Sequence, residues 1–288
     1  MILQNLHTHT VYGDGKNTAE EMVLGAIRSG CAGLGFSEHS PFPPVGPHDG
    51  YSLLPERVAD YRAEVLALRE KYKGRLEIFL GLEQDIDSLP PEDPYDYLIG
   101  SVHNLRAEGR WLPVDESADS FLGFAREYFG GDCLAMAEAY YRLEAEAAER
   151  TRCQIVGHFD LFTKFNEGGR LFDQDVPRYR SAALEALNAL LEKDVLFEIN
   201  TGAISRGYRT APYPAPFLLR AIQEKGGRIC ITSDSHSAAT ITCAFPMAAE
   251  LAAACGFRET WVLTGQGFRA LGLEEFRTEA FSAQNLDK

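Results

Sequence analysis

Short apolar runs rich in β-branched residues alternate with amphipathic helical stretches along nearly the whole chain. That alternation constrains the fold more than any other feature. Strands are expected at residues 2–6, 33–37, 76–82, 97–102, 154–157, 195–199, 229–232 and 260–263, each short and flanked by Gly, Pro or charged residues. Helices are expected between them, at 18–29, 55–72, 120–129, 133–151, 176–191, 216–225 and 246–255. The first opens on Thr18-Ala19-Glu20-Glu21, a capping-box pattern with Thr18 as the cap, and stops before Gly30. The second carries Val58, Tyr61, Val65 and Leu68 at helical spacing. Steady strand–helix alternation builds a parallel sheet. Seven or eight such units in 288 residues predict an α/β fold, a closed or distorted (β/α) barrel. No composition break marks a linker, so residues 1–288 read as a single domain whose last ten residues or so are frayed. Long loops at 41–55 and 105–120 follow the second and fourth strands, on the side where barrels keep their chemistry.

Six of the seven histidines fall at, or just past, the C-terminal end of an expected strand: His7, His9, His39, His103, His158 and His236. His48 is the exception, inside the Pro-rich loop. On a barrel those six positions converge on one rim. In His7-Thr8-His9 the two imidazoles, two residues apart on extended chain, point the same way. Asp234-Ser235-His236 repeats that spacing at another strand end. Glu83 ends the third strand, and Asp14 occupies a Gly-Asp-Gly turn just after His9. Each of these residues, taken alone, reads as an ordinary polar strand end or turn. Together they are hard to explain by folding, because clustered polar groups in a pocket are costly unless paired. Nitrogen and oxygen donors without cysteine suit Zn, Mn or Fe(II), and nine donors exceed the needs of one ion. Two or three divalent ions are therefore expected. Paired ions clamp a phosphoryl group and hold a hydroxide for in-line attack. The chain has no G-x-S-x-G elbow, P-loop or G-x-G-x-x-G fingerprint to compete with this reading.

The formal net charge of −14 argues against a partner as long as a nucleic-acid strand. It leaves a small anionic substrate open, since bound cations reverse the local field. The six cysteines form no C-x-x-C pair, which predicts reduced thiols in a cytoplasmic protein. The opening residues lack a basic segment and a long apolar core, so no signal peptide is expected. No apolar stretch is long enough to predict a membrane span. The oligomeric state is left open.

The motifs Ser37-Glu38-His39-Ser40, Gly81-Leu82-Glu83, Ser101-Val102-His103, Gly157-His158-Phe159-Asp160 and Ser233-Asp234-Ser235-His236, with the opening H-x-H, resemble the PHP (polymerase and histidinol phosphatase) metal-dependent phosphoesterases. More narrowly, the chain looks like the histidinol-phosphate phosphatase branch. The resemblance implies a distorted (β/α)7 barrel and a trinuclear site. One ion would be held by His7, His9, Glu83 and Asp234, a second by Glu83, His103 and His158, and a third by Asp14, His39 and His236. It implies hydrolysis of L-histidinol phosphate, with Asp234 or His236 assisting proton transfer to the leaving oxygen. Arg206 and Lys164, cations soon after strand ends, are expected to bind phosphate. Asp115, Glu116 and Asp160 are candidates for the substrate amine. A phosphodiesterase or nucleotidase of the same fold is the alternative, followed by a metal-dependent amidohydrolase and a non-catalytic metal-binding domain.

Overall fold

The structure is a computed structural model that describes residues 3–44, 46 and 50–277. His48 and the residues expected to fray lie outside the described residues. The chain begins with β1 (Leu3–Asn5), α1 (Ala19–Arg28), β2 (Cys31–Phe36), α2 (Val58–Lys71), β3 (Glu77–Asp85) and β4 (Tyr97–Ser101). A hairpin of β5 (Asn104–Ala107) and β6 (Arg110–Pro113) precedes α3 (Ala118–Tyr128), α4 (Cys133–Glu144), α5 (Ala147–Thr151) and β7 (Ile155–Val156). Next come α6 (Pro177–Leu191), β8 (Leu196–Asn200), α7 (Gly202–Ser205), α8 (Pro216–Glu224), β9 (Arg228–Thr232) and α9 (Phe245–Ala254). A second hairpin, β10 (Glu259–Thr264) and β11 (Gly267–Gly272), leads into α10 (Leu273–Arg277).

Seven strands form one parallel sheet in the order β1-β2-β3-β4-β7-β8-β9. The order follows the sequence, as right-handed crossovers around a barrel require. The edges β1 and β9 meet through the backbone just beyond them: Thr8 bridges Ser235, with Ser235 N–H donating to His7 O at 3.0 Å and His9 N–H to Ser235 O at 2.9 Å. The result is a nearly closed, distorted (β/α)7 barrel. Its strands are buried on both faces, so β8 (Leu-Phe-Glu-Ile-Asn) has no exposed residue.

Inside the barrel, Leu6, Phe79, Tyr97, Ile99, Ile155, Leu196, Cys230 and Leu263 form one apolar cluster. Tyr97 fits there only because Gly35 and Gly81 face its ring; a Cβ at either position would collide with it. A larger cluster fills the layer between strands and helices. The α1 capping box is present, with Glu21 N–H donating to Thr18 Oγ and Thr18 N–H to the Glu21 carboxylate. The helix expected at 120–129 starts at Ala118, because Ser117 caps it by accepting from Ser120 N–H at 3.0 Å. The single helix expected at 133–151 is interrupted after Glu144 and resumes as α5. The eighth expected strand, 260–263, is not a barrel strand: it pairs antiparallel with β11. The loop expected at 105–120 contains the β5–β6 hairpin. No helix among the described residues is long and apolar enough to cross a membrane.

Candidate metal centre

The chain leaves β1 still extended, so His7 and His9 both face the barrel mouth while Thr8 turns outward. Thr8 is pinned there by its hydroxyl donating to Gly35 O (2.8 Å) and its N–H donating to Ser37 Oγ (3.1 Å). The turn carrying Asp14 folds back beneath, with Gly15 N–H donating to Thr10 O at 2.9 Å. Gly15 lies against the His9 backbone, where a Cβ would not fit. Glu38 fastens the same turn by accepting from Thr10 N–H (2.7 Å) and the Thr10 hydroxyl (2.6 Å). Burial pushes the Glu38 carboxyl up to about 8, against those hydrogen bonds. His39 follows β2, with Leu53 N–H closing on its carbonyl at 2.9 Å. Glu83 sits within β3, which runs on to Asp85 instead of ending at Leu82. His103 lies between β4 and the β5–β6 hairpin, His158 two residues past β7, and Asp234 and His236 just past β9.

These nine side chains come together. Glu83 is at the middle: its Oε2 is 3.2 Å from His7 Nε2 and 3.6 Å from His9 Nε2, and its Oε1 is 3.3 Å from His103 Nε2 and 2.9 Å from His158 Nε2. Asp234 Oδ1 is 3.2 Å from His9 Nε2 and 3.7 Å from His7 Nε2. On the outer side Asp14 lies 3.2 Å from His236 Nε2 and 3.9 Å from His39 Nε2. Four groups have donor atoms within 4.8 Å of one another: His7/His9/Asp234, His7/Glu83/His158, His39/Glu83/His103 and His9/Asp14/His39/His236. His9 thus joins the outer group, which the sequence reading confined to Asp14, His39 and His236.

The donor set fits divalent ions on its own evidence. His7 Nε2, both His9 nitrogens and Glu83 Oε2 are buried and make no hydrogen bond, although they face carboxylates or imidazoles. Donors bound to one ion at about 2.1 Å lie roughly 3.0–3.4 Å apart, close to the spacings seen here. Burial would raise the Glu83 carboxyl, but the surrounding histidines outweigh it and hold it well below the usual carboxylate range. Burial and the neighbouring His236 and His39 lower His9 to about 3, so its ring is neutral, as a ligand must be.

A cavity of about 430 Å³ opens over this array, with Asp14, His39, His103, His158, Asp234 and His236 on its floor. Arg206 and Lys164 line its wall, as do Asp115 and Glu116. Tyr51, Asn104, Pro113, Leu161 and Tyr208 complete it. Arg206 donates to Asp234 Oδ2 (2.9 Å) and Asp234 O (3.0 Å), and its Nη1 lies 2.9 Å from His236 Nδ1, which is itself 3.0 Å from Asp234 O. That grip holds Asp234 in the left-handed region, φ 45°, which few non-glycine residues adopt. Lys164 Nζ donates to Asp115 O (2.8 Å) and Oδ2 (3.0 Å) and lies 4.9 Å over the Tyr208 ring. Asp115 is thereby already paired, whereas Glu116 stays exposed at the rim.

Asp160 corrects the sequence reading. It is fully buried and absent from the cavity wall; its Oδ2 accepts from Ala215 N–H at 2.9 Å. The chain beyond β7 turns into a single 3-10 turn at Leu161–Thr163, which swings Asp160 away from the face that His158 presents. Three supporting residues were not singled out from the sequence. Glu198 bonds His7, Asp85 Oδ2 accepts from His103 N–H (3.2 Å) and pairs with its Nδ1 (3.1 Å), and Tyr51 lies edge-on to His39 at 4.9 Å. Glu198 did carry a signal, as a charged residue inside an otherwise apolar, fully buried strand.

A barrel of this topology, with imidazoles and carboxylates at its strand ends, defines a metal-dependent hydrolase architecture. Residues 5–202 match the PHP domain, and the chain belongs to the PHP family. Within it, the chain is 32% identical over 240 residues to a Deinococcus radiodurans protein described as "Probable histidinol-phosphatase", covering 80% of this chain and 85% of that one. It is 26% identical over 260 residues to the histidinol-phosphatase of Bacillus subtilis, covering 83% and 95%. A crystal structure of histidinol phosphate phosphatase from Lactococcus lactis, complexed with zinc, L-histidinol and phosphate, superposes with a TM-score of 0.68 at 22% identity, covering 92% of this chain and 98% of that one.

Proposed function

We propose that this chain is a phosphoric monoester hydrolase that releases phosphate from L-histidinol phosphate, leaving L-histidinol, as a step of histidine biosynthesis. The observation that carries the proposal is the meeting, in one cavity, of the imidazole–carboxylate array with Arg206 and Lys164. The histidinol-phosphatase relatives, and the zinc, histidinol and phosphate of the Lactococcus lactis structure, support the substrate. Two or three ions would be held by His7, His9, Glu83 and Asp234; by Glu83, His103 and His158; and by Asp14, His39 and His236. The donor chemistry suits zinc, manganese or iron. Such ions supply Lewis-acid charge to phosphoryl oxygens and lower the pKa of the attacking water.

The remaining work falls to the protein. The Arg206 fork keeps N–H groups beyond those bonded to Asp234 and His236, and a guanidinium matches phosphate oxygens. Lys164 adds a second positive charge across the cavity. Asp234 or His236, both beside Arg206, would assist proton transfer to the leaving oxygen. Glu116, exposed at the rim, would meet the substrate ammonium. The formal charge of −14 disfavours long nucleic acid as a substrate. All six cysteines are free thiols, which fits a reducing, cytoplasmic setting.

The test is phosphate release from L-histidinol phosphate after chelation, with Zn, Mn or Fe added back, against p-nitrophenyl phosphate and a nucleotide panel. Metal-dependent preference for histidinol phosphate, lost in His103→Ala, is expected. Metal-dependent turnover of nucleotides or diesters in its place overturns the substrate assignment and leaves the metal centre standing.

A further inference from the structure

Glu198 lies beneath the centre, 1% exposed, and points up from β8 into a ring of donors. Its Oε1 meets His7 Nδ1 at 2.6 Å and the Thr232 hydroxyl at 2.5 Å. Its Oε2 accepts from His158 N–H at 2.7 Å and from Asn200 Nδ2 at 2.9 Å. Each oxygen thus serves two donors. The four partners come from the ends of β1, β7, β8 and β9, so one carboxylate ties together four neighbouring positions at the barrel mouth. Asn200 extends the tie, because its Oδ1 accepts from Gly202 N–H (2.8 Å) at the start of the turn that carries Arg206.

The His7 ring is held between two carboxylates, Glu198 at Nδ1 and Glu83 at Nε2 (3.2 Å). An imidazole that binds an ion through Nε2 must carry its proton on Nδ1, and the acceptor opposite Nδ1 fixes both tautomer and ring plane. We propose that Glu198 is the positioning residue of this centre: it locks the proton on His7 Nδ1, turns the Nε2 lone pair toward Glu83 and Asp234, and so sets the affinity for the ion that His7 shares with them. The proposal rests on the metal-centre reading above. A glutamine at 198 keeps the shape but sets an NH2 group either against His7 Nδ1–H, beside a Thr232 hydroxyl that can turn to accept, or against His158 N–H and Asn200 Nδ2, so at least one of the four bonds is lost.

The experiment measures zinc dissociation constants by chelator competition for the wild-type chain, Glu198→Gln, His7→Ala and the double variant, each first checked for native circular dichroism. Glu198→Gln is expected to weaken, by about 10- to 100-fold, the binding of the same ion whose binding His7→Ala weakens. On the His7→Ala background it is expected to add nothing further, which a general loosening of the fold would not produce. An affinity within about threefold of wild type, or the same loss repeated on His7→Ala, overturns the proposal. Should Glu198→Gln fail to fold, the zinc-loaded wild-type chain labelled with 15N-histidine decides instead. A proton on His7 Nδ1 with Nε2 bound to zinc supports the proposal, and the opposite arrangement overturns it. A wild-type chain that takes up no zinc overturns the metal reading itself and this proposal with it.

Discussion

Gly202→Ala tests how tightly the Arg206–Asp234 pair is machined to the turn beneath it. Gly202 opens α7, and its backbone needs no special dihedral; what it needs is room. An ideal Cβ there would lie 2.8 Å from Asp234 Cβ and from Asp234 Oδ2, and 2.9 Å from Arg206 Nη2. Carbon atoms in contact prefer about 3.5–4.0 Å, so the pair is overlapped by roughly 0.7–1.2 Å and either Asp234 or the 202–206 turn must move by about that much. Overpacking of this kind costs about 1–3 kcal/mol of stability. For a chain of this size that is a fall of a few degrees in melting temperature. The catalytic loss is larger than the stability loss implies. A misplacement of about 1 Å costs on the order of 100-fold in rate, equal to about 2.7 kcal/mol in activation free energy. The assay is kcat/KM for phosphate release from L-histidinol phosphate with saturating metal, alongside melting curves. A variant that melts a few degrees lower and turns over about 100-fold more slowly is expected. A kcat/KM within about threefold of wild type refutes the claim that this contact sets the geometry of the pair.

Three further outcomes follow from other parts of the molecule. Arg206→Ala is expected to lower kcat/KM by about 100- to 1000-fold, with Arg206→Lys recovering only part of it, because an ammonium keeps the charge but not the fork; equal rates for Arg206→Ala and wild type in steady-state phosphate release would end the phosphate-binding role. Burial pushes the Glu144 carboxyl well above its usual range, with Asp160 and Asp85 adding to the push and the Tyr140 hydroxyl (2.6 Å) and the charge of His103 opposing it. Its raised pKa means that Glu144 costs nothing below its unfolded value of about 4.3 and destabilises the fold increasingly above it, by at most about 1.4 kcal/mol per pH unit; Glu144→Gln should therefore melt like wild type near pH 4 and progressively higher as pH rises, and a pH-independent difference in melting temperature would refute this. Gly123 lies inside α3 with open space where a Cβ would go, so Gly123→Ala should stabilise the fold by about 0.8–1.0 kcal/mol without touching activity; a lower melting temperature would count against it.

The barrel strands were legible in the sequence because parallel strands buried on both faces read as short apolar runs punctuated by turn residues. The sheet partner of a run is not written in it, which is why β10 resembled an eighth barrel strand: Thr260–Leu263 has the same composition, and only the return of β11 reveals a hairpin. The β5–β6 hairpin was hidden for a different reason. Its turn places Glu108 at φ 50° and Gly109 at φ 77°, the conformation usually announced by Asn-Gly or Asp-Gly, and a glutamate in the first position masks it. At the centre, the nine donors were legible because imidazoles at successive strand ends have no folding rationale. Asp160 reads as an acidic loop residue open to the substrate amine, and nothing in the run marks the turn after β7 that buries it. Glu198 and Asp85 act through another side chain, and an interaction of that kind leaves no spacing rule in one sequence.

The seam of the barrel has a consequence for how the protein is made. β1 and β9 come together across a span such as Asn5 to Ser233, whose side chains bond at 2.7 Å although 228 residues separate them. His7 and His9 stand on one lip of that seam, Asp234 and His236 on the other. Contacts of such long sequence separation form only when both segments are present, so the seam closes after the second lip has been made. A nascent chain therefore holds its early imidazoles without the carboxylate that completes their cluster. An ion bound across the seam would act as a clasp joining two segments about 228 residues apart in the chain.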